Sequence, residues 1–336
     1  MFDYRAFAIR KLAGIAPRYL PFADVATEDV PLSRLLRLSL FQVTVGMALV
    51  LLVGTLNRVM IVELSVPATL VAGMLALPLL FAPFRTLIGH RSDTHVSAFG
   101  WRRVPFLWKG TLYQFGGFAI MPFALLVLSG YGEAIDAPRW IGLSSAALAF
   151  FLVGAGLHTV QTAGLALATD LVKEEDHPKV VGLMYVMLLV GMVVAALMYG
   201  ALLENYSPGR LVQVIQGNAV ATVAMNQVAL WNQKARDRVR AQGHSARKVP
   251  SFSNAWTTLV SRPGMMRLLF VIGAGTFGFG MADVLLEPYG GQALGLSVAE
   301  TTKLSARLAG GTLIGCAIAS RVLGQGGSPE RLGLYG

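Results

Sequence analysis

Apolar residues in this chain come in long unbroken runs, not in the alternation of strands or the one-sided stripes of soluble helices. Eight runs approach or exceed the ~20 residues needed to cross a bilayer as a helix. They cover 38–62, 66–88, 105–129, 140–169, 179–203, 210–231, 267–287 and 302–323. Only an internally bonded helix satisfies its backbone in lipid without closing a barrel. The pattern therefore predicts an all-α integral membrane protein. A polar stretch, 232–266, separates the sixth run from the seventh. The first run starts only near Leu38, which argues against a removable signal peptide. Residues 1–37 form an N-terminal segment. Its mixture of Phe2, Tyr4, Arg5, Phe7 and Lys11 fits either an interfacial helix or a solvated tail.

Composition agrees with this pattern. Hydrophobic residues make up 54% and charged residues 14%, against about a quarter charged in soluble domains. The net charge of +10 raises the question of a nucleic-acid partner, and the placement of the charges answers it. With the N-terminus in the cytoplasm, 23 of the 28 Lys and Arg fall in the tail and in loops on that side. Five remain for the other side: Arg58, Arg139, Arg210, Lys303 and Arg307. This asymmetry follows the positive-inside rule and excludes nucleic-acid binding as the reason for the charge. The single cysteine, Cys316, lies inside the eighth run and has no partner for a disulfide or a metal cluster.

The linker 232–266 carries Lys234, Arg236, Arg238, Arg240, Arg247 and Lys248, then Pro250. It divides the chain into a six-helix bundle, 38–231, and the start of a second bundle, 267–336. Internal repetition supports the division. Gly54–Glu63 (GTLNRVMIVE) at the end of the first run resembles Gly278–Glu287 (GFGMADVLLE) at the end of the seventh. Ser65–Thr69 (SVPAT) resembles Ser297–Thr301 (SVAET) shortly after.

Charged groups within spans are costly and often functional. No carboxylate falls mid-span here. Arg58, Glu63, Asp283, Glu287, Lys303 and Arg307 gather at matching run ends. The short connection after Glu287 predicts that Glu287 pairs with Lys303 and Arg307, with Asp283 as a second partner for Arg307. Two readings stand: ion pairs that stabilise helix ends, or a gating or ligand cluster. His158 is the one mid-run histidine, with Gln161 and Thr162 close by and glycines around it. A neutral imidazole can ligate a metal, including the magnesium of a chlorin, or hydrogen-bond a neighbouring helix. The sixth run carries Gln213, Gln216, Asn218, Asn226 and Gln227, which divide between two helical faces. One face could line a cavity and the other bond a neighbouring helix. The pair Gly311 and Gly315 reads as helix packing. No nucleotide loop, zinc spacing or nucleophile triad is present in the sequence, and the chain reads as a non-enzyme with no metal site.

The loop between the second and third runs contains Gly89, Asp93, Gly100, Arg102 and Arg103. This arrangement resembles the corresponding loop of the major facilitator superfamily. The resemblance implies the major facilitator fold, with eight spans visible of twelve. It also implies a conformational role for Asp93 and the Arg102/Arg103 pair on the cytoplasmic face. The sequence closes on an apolar onset, Leu332–Gly336, so a longer parent protein is expected.

Four segments together resemble the PucC/LhaA light-harvesting assembly family, the bacteriochlorophyll-delivery branch of that superfamily. They are Gly54–Leu64, the loop from Ile88 to Arg103, Gln161–Asp170 and Leu286–Gln292. The resemblance implies an assembly factor that binds or delivers bacteriochlorophyll, or holds nascent antenna polypeptides. Reaction-centre subunits and late bacteriochlorophyll-synthesis enzymes are further partners it suggests. The location implied is the bacterial inner or intracytoplasmic photosynthetic membrane, with the N-terminus cytoplasmic. The alternative is a secondary transporter of a small solute.

Overall fold

The computed structural model describes residues 30–81, 84–94, 103–130, 136–231 and 252–324. Every regular element among them is helical. Helix α1 spans Leu32–Glu63 and starts directly after Pro31, which has no N–H to leave unpaired. Its second half is wound as a π-helix over Val50–Leu56 and Val59–Glu63. It ends at Ser65, the one described non-glycine residue with positive φ, at 51°. The run expected at 66–88 is divided between α2 (Ala68–Leu80) and α3 (Phe84–Thr94).

Helices α4 (Val104–Ser129), α5 (Arg139–Thr169), α6 (His177–Leu202) and α7 (Pro208–Leu230) complete the first bundle. Their ends are written in the sequence. Pro lies in the first turn of α4, α6 and α7, and left-handed Gly130 stops α4. The Ser207 hydroxyl caps α7 by accepting the Arg210 N–H. Beyond it lie α8 (Phe252–Val260), α9 (Met265–Gln292) and α10 (Val298–Gly324). A capping box opens α10: the Ser297 hydroxyl accepts the Glu300 N–H, and Glu300 accepts the Ser297 N–H at 2.8 Å.

Among the described residues, five helices are long and apolar enough to cross a membrane: α1, α4, α5, α6 with the turn before it, and α9. The protein is a multi-pass membrane protein. The other expected spans are also helical. The second is cut by the break between α2 and α3, while α7 and α10 carry more polar residues. The linker expected at 232–266 contributes α8, and its residues 232–251 lie outside the described ones, as do the expected interfacial helix and Leu332–Gly336.

Glycines set the helix spacing. A close crossing joins α4 to α5, where Gly110 and Gly117 meet Gly156 and the Ala149–Val153 turn. Phe41 of α1 lies on Gly164 of α5, and Pro78 of α2 lies on Gly154. On α6, Gly191 takes the Val43 backbone of α1. Without a hydrophobic drive between helices in lipid, such backbone approach provides much of the packing. The second part of the chain meets the first bundle differently. Helix α10 packs on α6, and α9 is buried only near its end, at Glu287, Pro288 and Gly290.

A Cβ on Gly156 would lie 2.5 Å from the Gly110 carbonyl oxygen, whereas one on Gly273 of α9 meets nothing within 4 Å. Gly156→Ala should therefore destabilise the protein by about 1–3 kcal/mol through overpacking. Gly273→Ala should leave it unchanged. Thermal unfolding in detergent separates the two; equal midpoints would contradict this packing.

Candidate functional site

Three polar assemblies hold the helices together at chosen points. The first is a seam between α1 and the pair α9–α10. Thr55 lies in the first π-helical stretch of α1, Asn57 and Arg58 lie between its two stretches, and all three are buried. The wider winding of a π-helix is often found at functional sites, where it re-aims side chains. Here Asn57 donates to the Val284 carbonyl at 2.7 Å, and the hydroxyls of Thr55 and Thr302 lie 3.2 Å apart. Arg58 pairs with Glu63 and donates to the Leu296 carbonyl at 2.9 Å. Glu287 is fully buried and accepts the Ser305 hydroxyl. Gly54 lies directly against its carboxylate, leaving no room for a Cβ. The two repeated motifs thus meet face to face: the glycine of the first receives the glutamate of the second.

The seam corrects the expected pairing. No ion pair joins Glu287 or Asp283 to Lys303 or Arg307 among the described residues. The reason is helical phase. On α10, Thr302 and Ser305 turn toward α1, so Arg307 falls on the exposed side and Lys303 packs against Gly200 of α6. Asp283 is exposed, one turn before the part of α9 that is buried. Of the six cluster residues, only Arg58 and Glu63 form an ion pair.

The second assembly ties α3, α4 and α5. The Arg103 guanidinium forks onto Asp170, with Nε–Oδ2 at 2.7 Å and Nη2–Oδ1 at 3.2 Å. It also donates to the Ser92 hydroxyl at 3.2 Å, which in turn donates to the Gly89 carbonyl. Two-pronged Arg–carboxylate contacts fix geometry as well as charge. Of the loop residues expected to act in conformational change, Arg103 is engaged by Asp170, a partner the loop motif itself does not contain. Asp93 belongs to α3 with its side chain outside the description, and Gly100 and Arg102 lie outside the described residues.

His158 is half-buried on α5, and its imidazole faces the Pro78 carbonyl of α2. Its Nδ1 has no partner and is closed off from solvent. Gln161 and Thr162 are both occupied by Arg85 of α3, at 3.0 and 3.2 Å. The donor chemistry of an imidazole suits a magnesium chlorin, but Nδ1 is the nitrogen closed off here, beside α2. The three residues are instead part of an α2–α3–α5 contact centred on Arg85, which sequence reasoning did not single out. On α7, Asn218 accepts the Tyr199 hydroxyl, and Asn226 links Thr44 to Thr111. Gln213, Gln216 and Gln227 are exposed on another face.

The family model described as PUCC protein matches residues 55–336. The chain belongs to the PucC family. Protein PucC of Rhodobacter capsulatus is 71% identical over 328 residues, covering 98% of this chain and 71% of that relative. Protein PucC of Rhodovulum sulfidophilum is 64% identical over 330 residues, 98% of this chain and 73% of the relative. Protein PucC of Cereibacter sphaeroides is 59% identical over 325 residues, 97% and 70%. No solved structure matches. These PucC relatives from purple bacteria fit a photosynthesis-related role. The matched family region begins at Thr55 and so includes almost the whole seam and the Arg103–Asp170 fork.

Arg58→Gln removes the partner of Glu63 and of the Leu296 carbonyl, and should cost about 1–3 kcal/mol. Arg307→Gln should stay within about 0.5 kcal/mol of the parent. Thermal unfolding in detergent measures both, and equal losses would return Arg307 to the cluster.

Tyr206, in the turn before α7, offers a pH test. Burial, with the Glu63 carboxylate adding and Arg58 opposing, pushes its phenol up to about 12 from 10.0. The fold thus favours the neutral phenol. The stability linked to it is present below pH 10 and is lost as pH rises toward 12. Tyr206→Phe should flatten the fall in melting temperature over that interval. A variant that falls as steeply as the parent would show that Tyr206 is not the group responsible.

Proposed function

We propose that this protein is an assembly factor for bacterial light-harvesting antenna complexes. In this reading it has the major facilitator fold and handles bacteriochlorophyll, or holds antenna polypeptides while pigment is added. It works in the inner or intracytoplasmic photosynthetic membrane, with its N-terminus in the cytoplasm, and catalyses no reaction of its own. Reaction-centre subunits and late pigment-synthesis enzymes are its further neighbours. The observation that carries this reading is identity of 59–71% to three PucC proteins over nearly the whole chain.

The polar chemistry supports it. The hydrogen-bonded groups are spent on joining helices: the seam, the Arg103–Asp170 fork and the Arg85 contact. A protein that handles apolar pigment or apolar helices needs rigid polar joints between elements and apolar faces elsewhere. A small-solute transporter is the second reading, and the meeting of the two repeats at Glu287 favours it, since repeat interfaces are where such sites lie. Pigment contact in the described packing falls to the apolar helix faces or follows a parting of α2 from α5 at His158.

Purification in mild detergent from pigmented membranes tests the proposal. Near-infrared bacteriochlorophyll absorption and antenna polypeptides should persist through a stringent wash. A colourless preparation that drives solute counterflow in liposomes would overturn it. His158→Leu with unchanged pigment would remove the imidazole from pigment binding and leave its packing role.

A further inference from the structure

The seam between α1 and the pair α9–α10 leaves one buried charge unmatched. Arg58 and Glu63 neutralise each other, and both terminal nitrogens of the guanidinium are engaged, by Glu63 and by the Leu296 carbonyl. Glu287 is fully buried, and its Oε1 accepts the Ser305 hydroxyl. Its Oε2 is closed off from solvent and has no hydrogen-bond partner among the described residues. An ionised carboxylate has about four sites for donors or cations. Burying one with its charge uncompensated is costly.

The polar groups gathered around Glu287 present oxygen. Gly54 and Asn57 stand one turn apart on α1 and meet α9 at Glu287 and Val284, also one turn apart. Asn57 spends its NH2 on the Val284 carbonyl, which leaves Oδ1 as the open end of the amide. That oxygen, too, is buried with no partner among the described residues. On α10, Thr302 and Ser305 share the face turned to α1, and the Thr302 hydroxyl lies 3.2 Å from that of Thr55. A hydroxyl that donates its proton keeps lone pairs on its oxygen. One carboxylate, one amide and three hydroxyls therefore come to one seam from three helices. A donor set of oxygens suits a hard cation. Gly54 keeps the place clear, since a Cβ there would run into the carboxylate and come within 3.2 Å of the Ser305 hydroxyl.

We propose that this seam binds a single sodium ion, with Glu287 Oε2 and Asn57 Oδ1 as its principal ligands. The hydroxyls of Thr55, Thr302 and Ser305 complete the shell. Charge sets the valence. One unmatched negative charge is cancelled by a monovalent ion, whereas a divalent ion would leave a surplus in a low-dielectric setting. A proton would engage only the carboxylate and one acceptor and would leave the remaining oxygens without use. The tight approach at Gly54 favours the smaller alkali ion over potassium. Bound there, the ion ties α9 to α1 and α10 at the one part of α9 that is buried, Glu287 to Gly290. The site rests on the geometry of the seam and not on the antenna-assembly reading, so either can fail without the other.

Sodium binding to the whole protein tests this, after purification in sodium-free detergent buffer with choline as the balancing cation. Radioactive sodium should bind saturably at one ion per chain. The melting temperature should rise by about 2 °C or more for each tenfold increase in sodium above the dissociation constant, and choline should have no such effect. Glu287→Gln keeps the shape of the side chain and should abolish both responses. Asn57→Ala should weaken sodium binding about tenfold or more, the loss expected when a charged group loses one polar partner. Asp283→Asn alters an exposed carboxylate one turn earlier on α9 and should bind sodium like the parent. If Glu287→Gln does not fold, Thr302→Val replaces it, with weakened binding expected. A folded parent that binds no sodium would overturn the proposal, as would equal stabilisation by choline or sodium binding that survives Glu287→Gln. Melting that follows pH and ignores sodium would also overturn it, and would assign a proton to Glu287.

Discussion

The arrangement of this protein depends on how closely its helix backbones can approach. In lipid there is no gain from hiding apolar side chains, so contact must come from shape and from hydrogen bonds. Glycines provide the shape. At the α4–α5 crossing, Gly110, Gly117 and Gly156 bring backbone against backbone, and the same device sets α1 against α5 and α6. Large apolar residues then fill what the glycines leave, with Phe41, Phe118, Phe150 and Tyr199 among the most deeply buried. Any side chain at these crossings would push whole helices apart and misalign the polar groups that they carry.

Those polar groups act as joints. The fork of Arg103 on Asp170 ties α4 to α5 beside the end of α3, while Arg85 ties α3 to the middle turns of α5. The seam ties α1 to α9 and α10. It has a feature the other two lack: a fully buried carboxylate, Glu287, held by a hydroxyl, with an arginine engaged nearby by Glu63. The π-helical winding of α1 makes this possible, because it presents Gly54, Asn57 and Arg58 toward the same neighbours. Elsewhere on α9 most exposed side chains are apolar, with Arg267 and Asp283 the charged exceptions.

Membership of the PucC family sets these joints in a multi-pass membrane protein whose relatives fit a photosynthesis-related role. A rigid bundle with apolar outer faces suits such work. Among the described residues, departures from apolar faces include Gln213, Gln216 and Gln227 on α7, Asp283 on α9 and Arg307 on α10.

Much of the fold was legible in the sequence because hydrocarbon imposes one rule on every segment. Apolar length predicts a helix, and Pro and Gly mark its ends, so the apolar runs fall on helices among the described residues, five of them long and apolar enough to cross a membrane and the second run divided between α2 and α3. The pairing of Gly54–Glu63 with Gly278–Glu287 was also legible, as was the importance of their glutamates. The partners were not. Helix phase and crossing angle decide which side of α10 turns toward α1, and a shift of two residues moves a contact from Arg307 to Ser305. The Asp170 partner of Arg103 and the approach of α2 to His158 have the same origin. The sequence by itself determined the elements, because each helix satisfies its own backbone in lipid. Only the tertiary structure decided the contacts, because they depend on how glycine-set crossings rotate one helix against the next.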